Sequence, residues 1–300
     1  MKTLDRIRAK IDALDAMPTV PAIIMPLTAM LQMPAEQVKL EKVVELASYD
    51  STIAAQCLRM ANSPLFGRRN TETVRAAIMA LGLERVQAIV LGCSLNSIVP
   101  PDKWSIDAVT FWRHSMGCAL VCSKMAKMIG YPEPEKAYLA GLLHDLGILV
   151  NTLTCTEDFR KCLHRASEEH VALHLEEAKL MGFTHCQSGK ILAEKWRFTS
   201  DLIQVIEFHH DDGFPPEKHP LVSLVHLGDL LCRLRDLGYG YYEALGVDFA
   251  GDAAWANLVE HYPTLATMDL ARFTMDIDAV MDEIIATVDA VFKPQPVAAH

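Results

Sequence analysis

The apolar positions of this chain recur with helical spacing along almost its whole length. Two such stripes are formed by Leu4, Ile7, Ile11 and Leu14 and by Ile53, Ala54, Cys57, Leu58 and Ala61. We find no convincing alternation of apolar and polar residues that would predict a strand. The pattern therefore predicts an all-α fold, a bundle of many helices held together by helix-on-helix packing.

Local start and stop signals agree with these stripes. Asp50 or Ser51 can cap a helix that begins near residue 52, and Asn62-Ser63-Pro64 can end it. Thr73 is placed to start the next helix, and Gly82 to close it. The sequence thus predicts separate helices over about 52–61 and 74–81.

A proline-rich junction at Pro100-Pro101 predicts a subdomain boundary near residue 103. We expect an N-terminal helical subdomain over 1–103 and a second helical subdomain over 104–235, which holds nearly all the histidines. Residues 236–300 are expected to form C-terminal helices and a disordered tail over Lys293–His300.

Composition and charge narrow the classes of partner. Of the 300 residues, 51% are hydrophobic and 22% charged, which excludes disorder as the main state. The net charge of -10 repels phosphate backbones, so bulk nucleic-acid binding is disfavoured. Small anionic ligands stay compatible with this charge, because a metal ion can reverse the local field.

The chain carries no signal for export or membrane insertion. Its apolar stretches are far shorter than the ~20 residues of a bilayer span, and charged residues interrupt its N-terminus. The eight cysteines form no C-x-x-C pair and are predicted to be small core residues; a metal shared by Cys118 and Cys122 is disfavoured. We therefore expect a cytoplasmic protein that does not bind membranes.

Candidate chemistry concentrates between residues 114 and 229. His144-Asp145 is an adjacent imidazole and carboxylate pair, and we expect both to reach one metal ion from a helix. A capped helix terminus or a surface pair is the alternative. Asp229 lies within an apolar helical segment, where it requires a metal, a hydrogen bond or an exposed position. The other candidates are His114, His185, His209 and His210. Such donors favour iron, manganese, zinc or nickel over calcium.

Three stretches, at Met17–Pro21, 49–63 and 73–82, resemble motifs of HDOD proteins, the HD-related output domains of bacterial signalling. Met17-Pro-Thr-Val-Pro21 is similar to the family's L-P-x-x-P opening. Residues 49–63 and 73–82 are similar to its D-P-x-L…N-S stretch and its I-x-x-A-I-x-x-L-G helix. His114, His144-Asp145 and Asp229 resemble the H…HD…D signature of the wider HD phosphohydrolase superfamily. The resemblance covers about residues 14–235 and recurs in the right order.

Resemblance to the HD-GYP phosphodiesterases implies ligands for one or two divalent metal ions. The first ion would be held by His114, His144, Asp145 and Asp229, and the second by Asp145, His185, His209 and His210. Two departures weaken the likeness to an enzyme. Ile148 stands at the lysine of H-D-x-G-K, which removes a cation near the scissile phosphate. His209-His-Asp-Asp-Gly-Phe-Pro215 is only loosely similar to H-H-E…G-Y-P.

Two functions follow as expectations. The first is a regulatory output module of signal transduction that keeps an HD-type metal site and acts on a signalling protein or a nucleotide ligand. The second is a metal-dependent phosphohydrolase of a nucleotide or cyclic dinucleotide, in which Asp145 is catalytic and a metal-bound hydroxide is the nucleophile. His170 and His174 are assigned to a solvated helix face. The substitution at Ile148 favours the module.

Overall fold

The computed structural model describes residues 3–14, 37–49, 51–66, 70–211, 218–244, 246 and 248–292. Within these ranges the chain is helical and contains no strand, which confirms the all-α prediction. The α-helices are α1 (Thr3–Leu14), α2 (Leu40–Tyr49), α3 (Ser51–Ala61), α4 (Val74–Leu81), α5 (Leu83–Ile98), α6 (Ala108–Ile129), α7 (Pro134–Leu143), α8 (Leu146–Thr154), α9 (Thr156–Glu169), α10 (Leu173–Leu180), α11 (His185–Lys195), α12 (Ser200–Phe208), α13 (Pro220–Leu234), α14 (Ala253–His261) and α15 (Leu270–Phe292). Short 3₁₀ turns lie at Pro64–Phe66, Pro101–Lys103 and Pro263–Thr267.

The helices that the sequence delimits most clearly form as predicted. Ile7 and Ile11 lie on the buried side of α1, and α3 ends at Ala61 before the Asn-Ser-Pro break. The hydroxyl of Thr73 accepts a hydrogen bond of 3.2 Å from the backbone N–H of Ala76. Gly82 closes α4 with a φ of +93°, a conformation that side chains disfavour.

Helix α6 lies at the centre of the molecule and packs closely along α7. The close approach depends on Gly141, since a Cβ atom there would lie 2.7 Å from the backbone oxygen of Cys118. The two backbones therefore nearly touch at this point. This contact brings the C-terminal end of α7, and with it His144, beside His114 on α6.

A second close approach joins α8 to α11. A Cβ atom on Gly147 would lie 1.7 Å from the backbone oxygen of His185. Only a glycine fits such a contact without moving one of the helices. The contact holds the first residue of α11 beside the start of α8, where Asp145 lies.

Helix α15, near the C-terminus, packs against helices of the N-terminal and middle parts of the chain. It packs against α6 and α3, and the Arg113 guanidinium lies 2.8 Å from the Asp289 carboxylate. The buried apolar residues form one cluster that runs from Ile7 in α1 to Val291 in α15. The expected divisions near residues 103 and 235 stay predictions. The Met17–Pro21 motif and the tail at 293–300 lie outside the described residues.

In the part of the chain that the structure describes, no helix on its own has the length and hydropathy to cross a bilayer. The pair Val74–Leu81 and Arg85–Leu95 meets the length and composition test only when joined across a bend of 117°.

Candidate metal centre

Five parts of the fold bring the candidate ligands together. His114 lies in α6, His185 is the first residue of α11, and Asp229 lies in the middle of α13. His209 and His210 follow the C-terminal end of α12. The remaining pair, at 144–145, connects α7 to α8. The structure thus gathers all seven side chains predicted from sequence around one point.

The position of His144-Asp145 corrects one expectation. The pair was expected within a helix, whereas it forms the two-residue break between α7 and α8. The cause is local, because Asp145 adopts a φ of -95° and a ψ of 22°, which leaves the α-helical region. The break turns the Asp145 carboxylate toward imidazoles on both sides of it.

The Asp145 carboxylate contacts four of the candidate imidazoles. Its Oδ2 atom lies 3.0 Å from His144 Nε2 and 3.3 Å from His114 Nε2. Its Oδ1 atom lies 3.1 Å from His185 Nε2 and 3.3 Å from His209 Nε2. The two oxygens of one carboxylate therefore face two different pairs of imidazole nitrogens, as a carboxylate that bridges two metal ions does.

Asp229 and His210 complete the two groups. Asp229 Oδ1 lies 3.3 Å from His114 Nε2, and His210 Nδ1 lies 3.8 Å from Asp229 Oδ2. Two sets of donors, each within 4.8 Å, could hold a metal ion: His114, Cys118, His144 and Asp229, and Asp145, His185, His209 and His210. The HD-GYP resemblance implies the same ligands, with two differences. Cys118 is added to the first set, and Asp145, which the resemblance gives to both ions, stands in the second set only.

Donor separations and missing hydrogen bonds both fit a metal ion. Ligands about 2.1 Å from one ion lie roughly 3.0 Å apart in octahedral and roughly 3.4 Å apart in tetrahedral coordination, which brackets the separations of Asp145 from its imidazoles. Asp145 Oδ1, His185 Nε2 and His209 Nε2 are buried and make no hydrogen bond in the described structure. Buried polar atoms without partners are costly, and coordination would satisfy all three.

In four of the five candidate imidazoles, the second ring nitrogen is held by the surrounding protein. The Nδ1 atoms of His114, His144 and His209 donate to the carbonyl oxygens of Leu237 (2.5 Å), Gly141 (2.8 Å) and Val205 (2.9 Å). When neutral, these rings therefore carry the proton on Nδ1 and turn the Nε2 lone pair toward the centre. Outer hydrogen bonds of this kind orient metal-binding histidines.

His185 is oriented by a buried carboxylate. Its Nδ1 atom lies 2.6 Å from Glu177 Oε2, which also accepts the backbone N–H of His185 at 2.8 Å. The second oxygen of Glu177 accepts a hydrogen bond of 2.9 Å from the Asn151 amide. Glu177 is thus fully engaged in fixing one ring, and a carboxylate partner makes that ring a stronger donor.

The pKa is raised in two of the candidate imidazoles and lowered in two others. Burial opposes the charged forms of His114 and His185, yet Asp145 and Asp229 raise the pKa of His114, and Glu177 raises the pKa of His185 well above its usual range. Burial and the neighbouring imidazoles instead lower the pKa of His209 and of His210. The cluster thus balances its negative charge with protons on some rings, and a metal ion competes for the same donors.

The carboxylates keep their negative charge. Burial would raise the pKa of Asp145, but the charge of His144 and the contact with His114 hold that pKa well below its usual range. Burial likewise opposes the charge of Asp229, and the Arg233 guanidinium, 3.0 Å away, lowers the pKa of that carboxyl. The centre therefore offers anionic oxygens, which divalent cations require.

A segment that follows α13 covers the centre; we call residues 236–244 the strap. The Tyr239 ring centroid lies 4.6 Å from that of His114. Glu243 Oε2 lies 2.7 Å from Arg233 Nη1, and the Tyr241 hydroxyl donates to the carbonyl of Val171 at 3.2 Å. Six of the candidate ligands are at most 1% exposed, namely His114, His144, Asp145, His185, His209 and Asp229, whereas His210 is partly exposed.

Sequence reasoning missed several residues of this centre. Glu177 and Arg233 act through other side chains, and Cys118 was assigned to the core, although its sulfur lies 3.7 Å from His114 Nε2. His174 was assigned to a solvated face, but its ring stacks on His210 with centroids 4.3 Å apart. Burial there lowers the pKa of His174 to about 3. His170 does lie on the surface, as expected.

The two departures from the phosphodiesterase pattern have different outcomes. Ile148 is fully buried in the apolar core, so no cation reaches the centre from this position. In the His209–Pro215 motif, residues 212–215 lie outside the described structure.

The family is decided by a match of the HDOD domain family model to residues 17–212, more than half of the chain. The chain belongs to the HDOD family. An HDOD protein of unknown function from Geobacter sulfurreducens has a similar structure, with a TM-score of 0.80 and 27% identity over 97% of this chain and 98% of that one.

Other relatives are more distant. A Shewanella amazonensis SB2B protein, provisionally described as a phosphohydrolase, shares the fold with a TM-score of 0.66 and 20% identity over 93% of this chain and 97% of that one. An uncharacterized protein of Treponema pallidum (strain Nichols) is 24% identical over 228 residues, 75% of this chain. This HDOD chain spans only 44% of that relative's length.

Proposed function

We propose that this HDOD chain is a regulatory output module of bacterial signal transduction that acts in the cytoplasm and holds one or two divalent metal ions in its core. The ions are iron, manganese, zinc or nickel, bound by the seven candidate side chains. The observation that carries the proposal is a set of seven clustered ligands, six of which are at most 1% exposed. Such a centre suits a stable structural or sensing role. The partner of the module is a signalling protein, or its ligand is a nucleotide.

The charges around the centre support the module over an enzyme. A phosphodiesterase needs cations that stabilise charge developing on the phosphoryl oxygens. Position 148 supplies none, and the Arg233 guanidinium lies between Asp229 and Glu243.

A second candidate, a metal-dependent phosphohydrolase acting on a nucleotide or cyclic dinucleotide, is favoured by the completeness of the ligand set. Both groups of donors are present, and Asp145 lies between them as a bridging carboxylate would. A bound metal would supply an activated water and would polarise a phosphoryl group. Asp145 would then be the residue on which catalysis depends most.

One experiment separates the two candidates. Purified full-length chain is loaded in turn with Mn²⁺, Fe²⁺, Zn²⁺ and Ni²⁺, its metal content is measured, and hydrolysis of bis(p-nitrophenyl) phosphate and of cyclic dinucleotides is assayed. Asp145→Ala is compared with Asp158→Ala, which removes an exposed carboxylate on α9. The module predicts bound metal without turnover.

The other results count against the module. Turnover that Asp145→Ala abolishes and Asp158→Ala leaves intact would replace it with the phosphohydrolase. A wild-type chain that binds none of the four metals would overturn both candidates.

A further inference from the structure

A cavity of about 290 Å³ lies beside α6, on the face of that helix opposite the metal centre. Trp112 and Met116 line it, and within α6 they precede and follow the candidate ligand His114 by two residues. Two residues along a helix correspond to a rotation of about 200°, so the cavity and the centre use opposite faces of α6. The cavity is therefore a separate site.

The lining has an apolar interior and a polar rim. Ile53, Ala88, Trp112 and Leu142 belong to the buried core and contribute apolar surface. The rim includes Arg59, which is exposed and is the only charged residue among the described lining residues. Small-molecule sites combine apolar walls with a few placed polar groups in this way, and this cavity falls near the small end of their size range.

The arginine is held in place at the rim. Arg59 Nε donates a hydrogen bond of 3.0 Å to the carbonyl of Val291, near the end of α15. This bond uses one of the five N–H donors of the guanidinium, whose planar shape suits a carboxylate or a similar anion. Near it, the Gln56 amide oxygen lies 2.6 Å from the Cys93 sulfur and adds a polar group to the lining.

We propose that this cavity binds a small amphipathic anion, whose flat apolar body lies against Trp112 and whose anionic group meets Arg59. The apolar body gains from leaving water, and the anion gains a charge-assisted hydrogen bond. Such a site gives the HDOD chain a small-molecule input independent of metal binding, and its test does not depend on the metal.

Two probes that differ in one charged group test the proposal with the full-length chain. 8-Anilinonaphthalene-1-sulfonate carries a sulfonate, and N-phenyl-1-naphthylamine is the same ring system without it. Each is titrated against the chain by fluorescence and calorimetry. The wild type is expected to bind one molecule of either probe saturably, and Arg59→Gln is expected to weaken the sulfonate about tenfold or more while leaving the neutral probe unchanged.

Blocking variants locate the bound probe. Ala88→Phe fills the cavity, and Val109→Trp narrows its rim from a position that is 38% exposed, so the second variant is expected to fold normally. Both should weaken both probes at least tenfold. Met79→Trp, at a 72% exposed position on α4, is the matched control and should change nothing.

Three results would overturn the proposal: binding that does not saturate, binding that Val109→Trp leaves unchanged in a folded protein, and equal weakening of both probes by Arg59→Gln.

Discussion

Single side chains outside the ligand set decide how firmly the imidazoles are held. Backbone carbonyls orient three of the rings; those of Gly141 and Val205 belong to helices, and that of Leu237 belongs to the strap. The His185 ring is instead oriented by another side chain, since its Nδ1 atom lies 2.6 Å from Glu177 Oε2. Glu177 is therefore the outer residue whose replacement should affect the centre most directly.

Glu177→Gln should lower the affinity of the chain for metal by about 10- to 100-fold, because the His185 ring loses a charged acceptor. Competition with a fluorescent chelator measures this affinity. Glu176→Gln is the matched control: that carboxylate is adjacent and equally buried, but it pairs with Lys179 and Arg165 instead. Equal affinities in the two variants would show that Glu177 does not act through His185.

Ile148→Lys should reduce the free energy of unfolding by about 3 kcal/mol or more, because it places an unpaired charge in the apolar core. Ile148→Leu, which keeps the volume, should cost less than about 1.5 kcal/mol. Urea denaturation measures both values. If the lysine variant were as stable as the leucine variant, position 148 would be open to the centre, and the main objection to the phosphohydrolase would fall.

The candidate ligands could be predicted because their residue types and order are specific, whereas their supporting residues could not. Nothing in the pattern around Glu177 distinguishes it from Glu176, since both precede α11 in a run of charged residues. The direction in which each points is set by packing of α10 against α11. His174 was misassigned for the same reason, because a charged helical segment does not reveal which face meets its neighbours.

Among the helices, glycine contacts set the spacing of the centre. Gly141 allows α6 and α7 to touch, and Gly147 allows α8 to touch α11. Helix bounds followed from capping residues such as Thr73, which act through neighbours in sequence. The break at His144-Asp145 was not predictable in this way, because no proline or glycine lies within the pair and the preceding helix continues in its apolar pattern.

Gly147→Ala should destabilise the chain by about 3 kcal/mol and lower its metal content, because the new methyl group forces α11, and His185 with it, away from Asp145. Thermal unfolding and elemental analysis measure the two effects. Gly246→Ala is a suitable control, since a Cβ atom there meets no atom of the described residues within 4 Å. A Gly147→Ala protein with wild-type stability and metal content would contradict this role of the contact.

The whole molecule shares one buried apolar cluster, which includes residues from both sides of the expected boundary at 103. Helix α15 packs on α3 and on α6, which lie on opposite sides of this boundary. The metal centre lies inside the same body, and its ligands come from helices spread between residues 114 and 229. Folding and metal binding should therefore be coupled across the described chain.

Thermal unfolding should be a single transition, with the same midpoint by far-ultraviolet and near-ultraviolet circular dichroism. Metal at about 100 times its dissociation constant should stabilise the native state by about 2.7 kcal/mol, because it binds only the folded centre. Two separate transitions, of which metal shifts only one, would show that the N-terminal helices form an independent unit.

Anomalous X-ray diffraction from crystals of Mn²⁺-loaded protein tests the metal centre most directly. The account predicts one or two anomalous peaks, each within about 2.3 Å of one Asp145 carboxylate oxygen and beside the Nε2 atom of His144 or of His185. A map without a peak at this position, or with Asp229 and His209 turned away from His144, would contradict it.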